Sequence, residues 1–244
     1  MTCNRYDIIN LMRTHTSVRD FTDEAVSEED RLAIAEAVRA ASTSSFLQLV
    51  TIIRMTDPEL RKAFARLSGN QKHVEAAPEF WVFCADMHRN KALCPDADAG
   101  WTEHLLTATV DTGIAAQSAM TALESLGLGG CFIGGIRNGI EEADRLLDLP
   151  DNVVPLLGIA FGHPAYKNEL KPRLPLEATF LENRYGDYPK EKLDEYDEVV
   201  RHYYKSRSRG ARDANWSGSL PPLLVKERRP FIRAYLEKKG FGTK

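Results

Sequence analysis

Between Leu105 and Leu123 the chain carries one charge, that of Asp111. The stretch Thr102 to Leu126 reads as the longest helix, and Ala108, Gly113, Ala115, Ala116, Ala119 and Ala122 keep its surface narrow. A helix without a broad polar face is buried almost all round, in a core or against a second subunit. Gly127 ends it as a C′ glycine does. Any fold open to this chain must therefore wrap a long apolar helix.

The other segments fit around it. Ser27-Glu28-Glu29-Asp30 resembles a capping box, and Ile34, Ala37, Val38 and Ala41 follow at helical spacing, giving a helix over Glu28 to Ala41. Leu47 to Met55 is β-branched and apolar, which predicts a strand. Asp57-Pro58 turns into a helix around Glu59 to Leu67. Phe80 to Ala85 (FWVFCA) and Val153 to Phe161 (VVPLLGIAF) are continuous apolar runs, expected as strands covered on both faces. Cys131 to Ile133 predicts a short strand and Glu141 to Leu147 a helix.

Past Gly162 the composition shifts. Residues 164–175 (PAYKNELKPRLP) read as extended loop. Two helical stripes follow, Tyr196, Val199, Val200 and Tyr203, then Phe231, Ile232, Tyr235 and Leu236. Lys238 and Lys239 fall in the last turn of the second, before Gly240. Lys205 to Arg212 (KSRSRGAR) between the stripes reads as a mobile basic loop. Helices alternating with about four buried strands, then a drawn-out tail, make an α+β layered domain with an extension.

Bulk properties exclude several classes. A net charge of −3 gives no general attraction to nucleic acid, and the basic loop lacks aromatic stacking partners of its own. No run approaches the roughly 20 apolar residues of a membrane span. The first fifteen residues lack the apolar core of a signal peptide. Cys3, Cys84, Cys94 and Cys131 make no CxxC pair and read as reduced thiols in a cytoplasmic protein, with Cys84 and Cys131 in the core.

The stretch Glu124 to Gly139 (ESLGLGGCFIGGIRNG) is rich in glycine. A Rossmann fingerprint opens a helix after a strand; here the first glycines follow a helix, so the context is reversed. A helix stop with a close strand crossing and a pocket for another cofactor both remain open. There is no P-loop, no nucleophile elbow and no HExxH or other metal spacing. His15, Ser17 and Arg19 in one short loop, and Lys171 and Arg173 in another, supply the hydroxyl and cationic donors that a phosphate takes.

Read in order, HTSVRDFTDEAVS, AASTSSFLQ, SGNQKHV, EFWVFCAD, ESLGLGGCFIGGIRN, LKPRLP and ERRPF resemble the oxygen-insensitive NADPH nitroreductases and the NADPH:FMN oxidoreductases. The resemblance runs over nearly the whole chain. It implies a nitroreductase-like α+β fold with a mixed or antiparallel central sheet, an FMN core over 1–163 and an extension over 164–244. The extension would wrap a homodimer partner and complete the cofactor site, a pocket at the subunit interface.

The activity so implied is two-electron transfer from NADPH through FMN to nitroaromatics, quinones or free flavin. A non-catalytic flavin carrier or sensor is the alternative. By motif, His15, Thr16, Ser17, Val18 and Arg19 lie along FMN. Thr43, Ser44 and Ser45 contact the cofactor or the substrate space, with Phe46 nearby. Gln71, Lys72 and His73 approach the flavin, and Ile133, Gly134 and Gly135 pass their backbone beside its ring, the glycines making room for it. Lys171 and Arg173 form the second phosphate-side loop, and the two loops are expected to converge. Lys171, Arg207, Arg212 and Arg229 match the grip on NADPH. No catalytic side chain or metal is implied; Ser45 and Arg19 polarise flavin or substrate.

Two positions depart from the pattern. Thr16 stands where arginine is usual, and Asp213 where relatives can carry a second arginine. Both remove positive charge from the cofactor region.

Overall fold

The computed structural model describes residues 6–187 and 189–244; Cys3 lies outside them. The chain forms two compact units, one comprising residues up to Asn168 together with Arg229–Lys244, the other Glu169–Arg228.

The first unit is built on a four-stranded sheet. Its strands are β2 (Val50–Arg54), β3 (Glu79–Asp86), β4 (Gly129–Ile133) and β5 (Val153–Gly162), in the order β2-β3-β5-β4, antiparallel throughout. Every residue of β3 is buried, because helices cover both faces. Phe80, Val82 and Cys84 point toward α3 (Pro58–Leu67), α4 (Lys72–Ala76) and α7 (Ile140–Leu146), packing with Phe64, Leu67, Val74 and Ala143. Trp81 and Phe83 point the other way, toward α2 (Glu28–Arg39) and α6 (Thr102–Ser125), packing with Ile34, Val38, Ala115, Ala119 and Met120. Pro155, which has no N–H for a ladder, sits where the β3–β5 register slips.

Local chemistry sets the helix ends. The Ser27 hydroxyl accepts the Asp30 amide at 3.0 Å, and Asp57 Oδ1 accepts the amides of Glu59 and Leu60 with Pro58 at the first helical position. The α6 helix ends as its glycine requires: Gly127 has φ +80, and the Leu128 amide returns to the Leu123 carbonyl at 3.0 Å.

Two expectations need correction. The predicted strand over Leu47 to Met55 begins only at Val50, because Ser45, Phe46 and Gln48 have positive φ, which no strand accommodates. The extended segment after Gly162 is partly a strand: β6 (Pro164–Tyr166) pairs antiparallel with β1 (Asp20–Phe21). The long helix is buried against the core on one side. Asp111, Ala115 and Ala119 face the core while Leu106 (56% exposed), Val110 (58%) and Ile114 (39%) face outward.

The tail returns to the first unit as α10 (Ile232–Lys238). Lys239 turns inward, bonding Asp144 at 3.0 Å and the Leu149 carbonyl at 2.9 Å, while the Tyr235 hydroxyl donates to Asp144 at 2.8 Å. Cys84 and Cys131 are buried and unpaired, and burial pushes the Cys84 thiol up to about 12. In the second unit, α8 (Lys190–Ser206) buries Leu193, Tyr196 and Val200, whereas Val199 of the expected stripe is exposed. Among the described residues no helix is long and apolar enough to cross a membrane.

Candidate cofactor site

After α1 (Asp7–Arg13) the chain runs along β4, where the Val18 amide donates to the Gly130 carbonyl at 2.9 Å. Val18 is wholly buried, and a Cβ on Gly129 would lie 2.5 Å from its side chain. The Val18 side chain thus belongs to the core and leaves only its backbone for a ligand. Its neighbours are more available. His15 Nδ1 lies 2.6 Å from Glu124 Oε1, and Ser17 and Arg19 lie near the buried thiol of Cys131, whose pKa burial raises against their lowering influence. Asn168 holds the Ser17 carbonyl at 3.0 Å. Thr16 is half-buried.

Two turns adjoin this segment. Gly69 (φ +89) and Asn70 (φ +58) reverse the chain after α3, and Gln71 Nε2 donates back to the Ser68 carbonyl at 2.7 Å. A Cβ on Gly135 would stand 2.6 Å from both Gln71 Nε2 and the Ser68 carbonyl. On Gly134 it would stand 3.2 Å from the Arg137 guanidinium. The space freed at Gly129, Gly130 and Gly135 is therefore occupied by protein. On that side these glycines let strand and turns pack tightly.

His73 is half-buried at the start of α4, and its buried Nε2 has no hydrogen-bond partner among the described residues. Burial lowers its pKa, and the nearby charge of Arg19 lowers it further. Lys72 is exposed. Arg229, in a left-handed conformation (φ +60), donates through Nε and Nη2 to Asn138 Oδ1 at 2.9 and 2.7 Å. Arg137 donates to the Leu156 carbonyl. Sequence reasoning assigned no role to Arg137, Asn138 or Glu124, although all three lie inside the quoted glycine-rich motif.

The Thr43–Ser45 turn is tied elsewhere. Thr43 Oγ1 donates to Asp111 Oδ2 at 2.5 Å, and the Ser44 amide to Asp111 Oδ1 at 3.0 Å. Its bonds run to α6 rather than to the His15 segment. Beside it lies a cavity of about 380 Å³ lined by Val38, Thr43, Gln48, Arg89 and Asp111 among others.

In the second unit the cations gather on two tyrosines. Lys171 Nζ lies 5.4 Å and Arg212 Cζ 4.5 Å from the Tyr204 ring centroid, and Arg207 Cζ 5.8 Å from that of Tyr203. Burial pushes the Tyr204 hydroxyl up, but hydrogen bonds and charge from Lys171 and Arg212 outweigh it and its pKa falls. Glu169 accepts the Ser208 amide at 2.9 Å and hydroxyl at 2.5 Å, and Asp213 pairs with Lys205 at 3.0 Å. The basic loop, expected to be mobile, is thus pinned on both sides. Arg173 is exposed beside Tyr196, whose hydroxyl donates to the Pro172 carbonyl at 3.1 Å.

His15, Ser17, Arg19, Gln71 and the unpartnered His73 nitrogen form a donor set suited to an anion attached to a polar ring. FMN is such a group, so the residues fit it. A family model described as the nitroreductase family matches residues 12–163, and one for the C-terminal domain of that family matches 171–244. The oxygen-insensitive NADPH nitroreductase of Salmonella typhimurium is 50% identical over 97% of this chain and 98% of its own length. Two solved structures share the fold. Nitroreductase A of Vibrio parahaemolyticus has a TM-score of 0.93 at 42% identity, over 97% of this chain and 98% of its own. The Vibrio harveyi NADPH:FMN oxidoreductase, complexed with NAD+, has a TM-score of 0.91 at 41% identity, over 97% of this chain and 99% of its own. The chain belongs to the nitroreductase family.

Proposed function

We propose that this protein is an FMN-dependent NADPH oxidoreductase that reduces flat acceptors such as nitroaromatics, quinones or free flavin by two electrons at a time. The observation that carries the reading is the gathering of His15, Ser17, Arg19, Gln71 and His73 around β4 and its flanking turns. The relatives support it, since they are NADPH-dependent reductases by name, which disfavours a passive flavin carrier.

FMN, when bound, would supply the two-electron redox chemistry that links NADPH to the acceptor. The chain supplies position and charge. His15 and Ser17 hold the phosphate and ribityl portion, and Arg19 places a cation at the pyrimidine edge, where it favours negative charge. Gln71 and His73 contact the ring from the turn after α3. Thr43, Ser44 and Ser45, with Phe46, border the space for nicotinamide and acceptor. Lys171 and Arg173 approach the cofactor phosphate, and Arg207, Arg212 and Arg229 grip the 2′-phosphate of NADPH.

The working protein is a homodimer: Leu106, Val110 and Ile114 form an apolar stripe on α6 that a second copy would cover. The three free thiols among the described residues fit a reducing cytoplasm. Because NADPH and oxidant share one face, the first leaves before the second enters. Steady-state double-reciprocal plots at several NADPH concentrations are therefore expected to be parallel. Lines that intersect, with a dead-end ternary complex, would contradict the shared face.

A further inference from the structure

Asp111 has no role in the functional reading above, yet it is the one charge on the apolar stretch of α6 and is 2% exposed. A carboxylate so placed is costly unless its oxygens are hydrogen-bonded. Both are, and both donors come from one turn: Oδ2 takes the Thr43 hydroxyl and Oδ1 the Ser44 amide. Thr43 Oγ1 in turn accepts the Gln48 amide at 2.8 Å, closing the turn on itself.

That turn is strained. Ser45 (φ 49), Phe46 (φ 59) and Gln48 (φ 56) all hold left-handed conformations that side-chain-bearing residues seldom adopt. Phe46 is 78% exposed, so core packing of its ring does not hold it there. Such a conformation persists only where its surroundings over-determine it: Asp111 holds the start of the turn, while Arg89 donates to the Gln48 carbonyl at 3.0 Å and Asn90 to the Leu47 carbonyl at 2.9 Å at its end.

We propose that Asp111 is the positioning residue of the Thr43–Gln48 turn, holding Ser44, Ser45 and Phe46 in the one conformation that borders the acceptor space. Asp111 itself touches neither cofactor nor acceptor. The inference rests on the reading that this turn borders the reacting face.

The test compares wild-type holoprotein with Asp111→Asn, Thr43→Val and Thr43→Ser, by amide hydrogen exchange resolved at Ser44 and Gln48 and by steady-state kinetics. Asparagine keeps an acceptor for the Ser44 amide but leaves the Thr43 hydroxyl without one. Valine removes that hydroxyl and barely alters the core, so it guards against an Asp111 variant that fails to fold. Exchange at Ser44 and Gln48 is expected to quicken in Asp111→Asn and Thr43→Val. The kcat/KM for the acceptor should fall roughly ten-fold, the scale of one charge-assisted hydrogen bond, with bound flavin retained, while Thr43→Ser, which keeps the hydroxyl, restores slow exchange.

Unchanged exchange in Thr43→Val and Asp111→Asn would overturn the anchoring. Faster exchange with wild-type kinetics would overturn the positioning role. A wild type whose Ser44 amide is protected but whose flavin NADPH never bleaches would instead refute the proposed function itself.

Discussion

Two loops of this molecule are each held by carboxylates, and they are held differently. The start of the Thr43–Gln48 turn hangs on Asp111, buried in the middle of a helix. The basic loop Lys205–Asp213 hangs on Glu169, which pins Ser208, and on Asp213, which pairs with Lys205 at the surface. A buried, fully bonded carboxylate is hardly screened by salt and imposes one geometry. Exposed ones contribute little and let the segment open. The chain thus ties the Thr43–Gln48 turn to its core through a buried carboxylate and the basic loop through exposed ones.

The hardest blow to this contrast is Asp111→Ala. It strips two donors of their acceptor, at about 2 kcal/mol, and should lower the midpoint of thermal unfolding by roughly 4–8 °C for a chain of this size. A midpoint within a degree of wild type, with the turn's amides still protected, would break the comparison on its buried side.

Next in size is a pH effect, also confined to the buried side. Burial and Arg19 depress the His73 pKa below its ordinary 6.5. The folded state therefore favours neutral His73, and that stability is present above about pH 6.5 and lost as the pH falls through the folded value. Unfolding midpoints should decline below pH 6.5 in wild type and decline less in His73→Gln. Identical profiles would remove His73 from the account.

The exposed loop should respond otherwise. The Ser208 hydroxyl and amide hold the Glu169 carboxyl down to about 2. Its latch is whole above the ordinary carboxylate range and is lost only as pH falls toward that value, so it contributes no titration between pH 5 and 9. Glu169→Gln should raise the KM for NADPH about two- to five-fold without moving the unfolding midpoint. A shift of several degrees would show the loop to be as rigidly built as the turn. Smallest is Asp213→Asn, which releases Lys205 and Arg201 from their partner. The ratio of NADPH to NADH turnover should rise no more than a few-fold, and less at high salt. A fall would show that the Asp213 charge does not weaken the preference for NADPH.

Much of the layered core was legible because its signals are local. The FWVFCA run announced a strand covered on both faces, and Ser27, Asp57 and Gly127 announced helix ends through their own side chains or lack of one. What escaped were bonds between residues far apart in the chain. Nothing near Leu47 tells that Asp111 will draw the preceding turn into left-handed conformations and shorten β2. The pairing of His15 with Glu124 spans 109 positions. The glycines were visible, but their purpose depended on what lay opposite: Val18 for Gly129, and Gln71 with the Ser68 carbonyl for Gly135. Asn138 and Arg229, also distant in sequence, meet only once the tail has returned to the core.

The most direct measurement is an anaerobic titration of the purified protein with NADPH, followed in the visible absorption of bound flavin. The account predicts a yellow protein that bleaches with one equivalent of NADPH per bound flavin and recovers its colour when a nitroaromatic or quinone is added without oxygen. A colourless protein that takes up no FMN when it is supplied, or a yellow one that NADPH leaves unbleached, would contradict it.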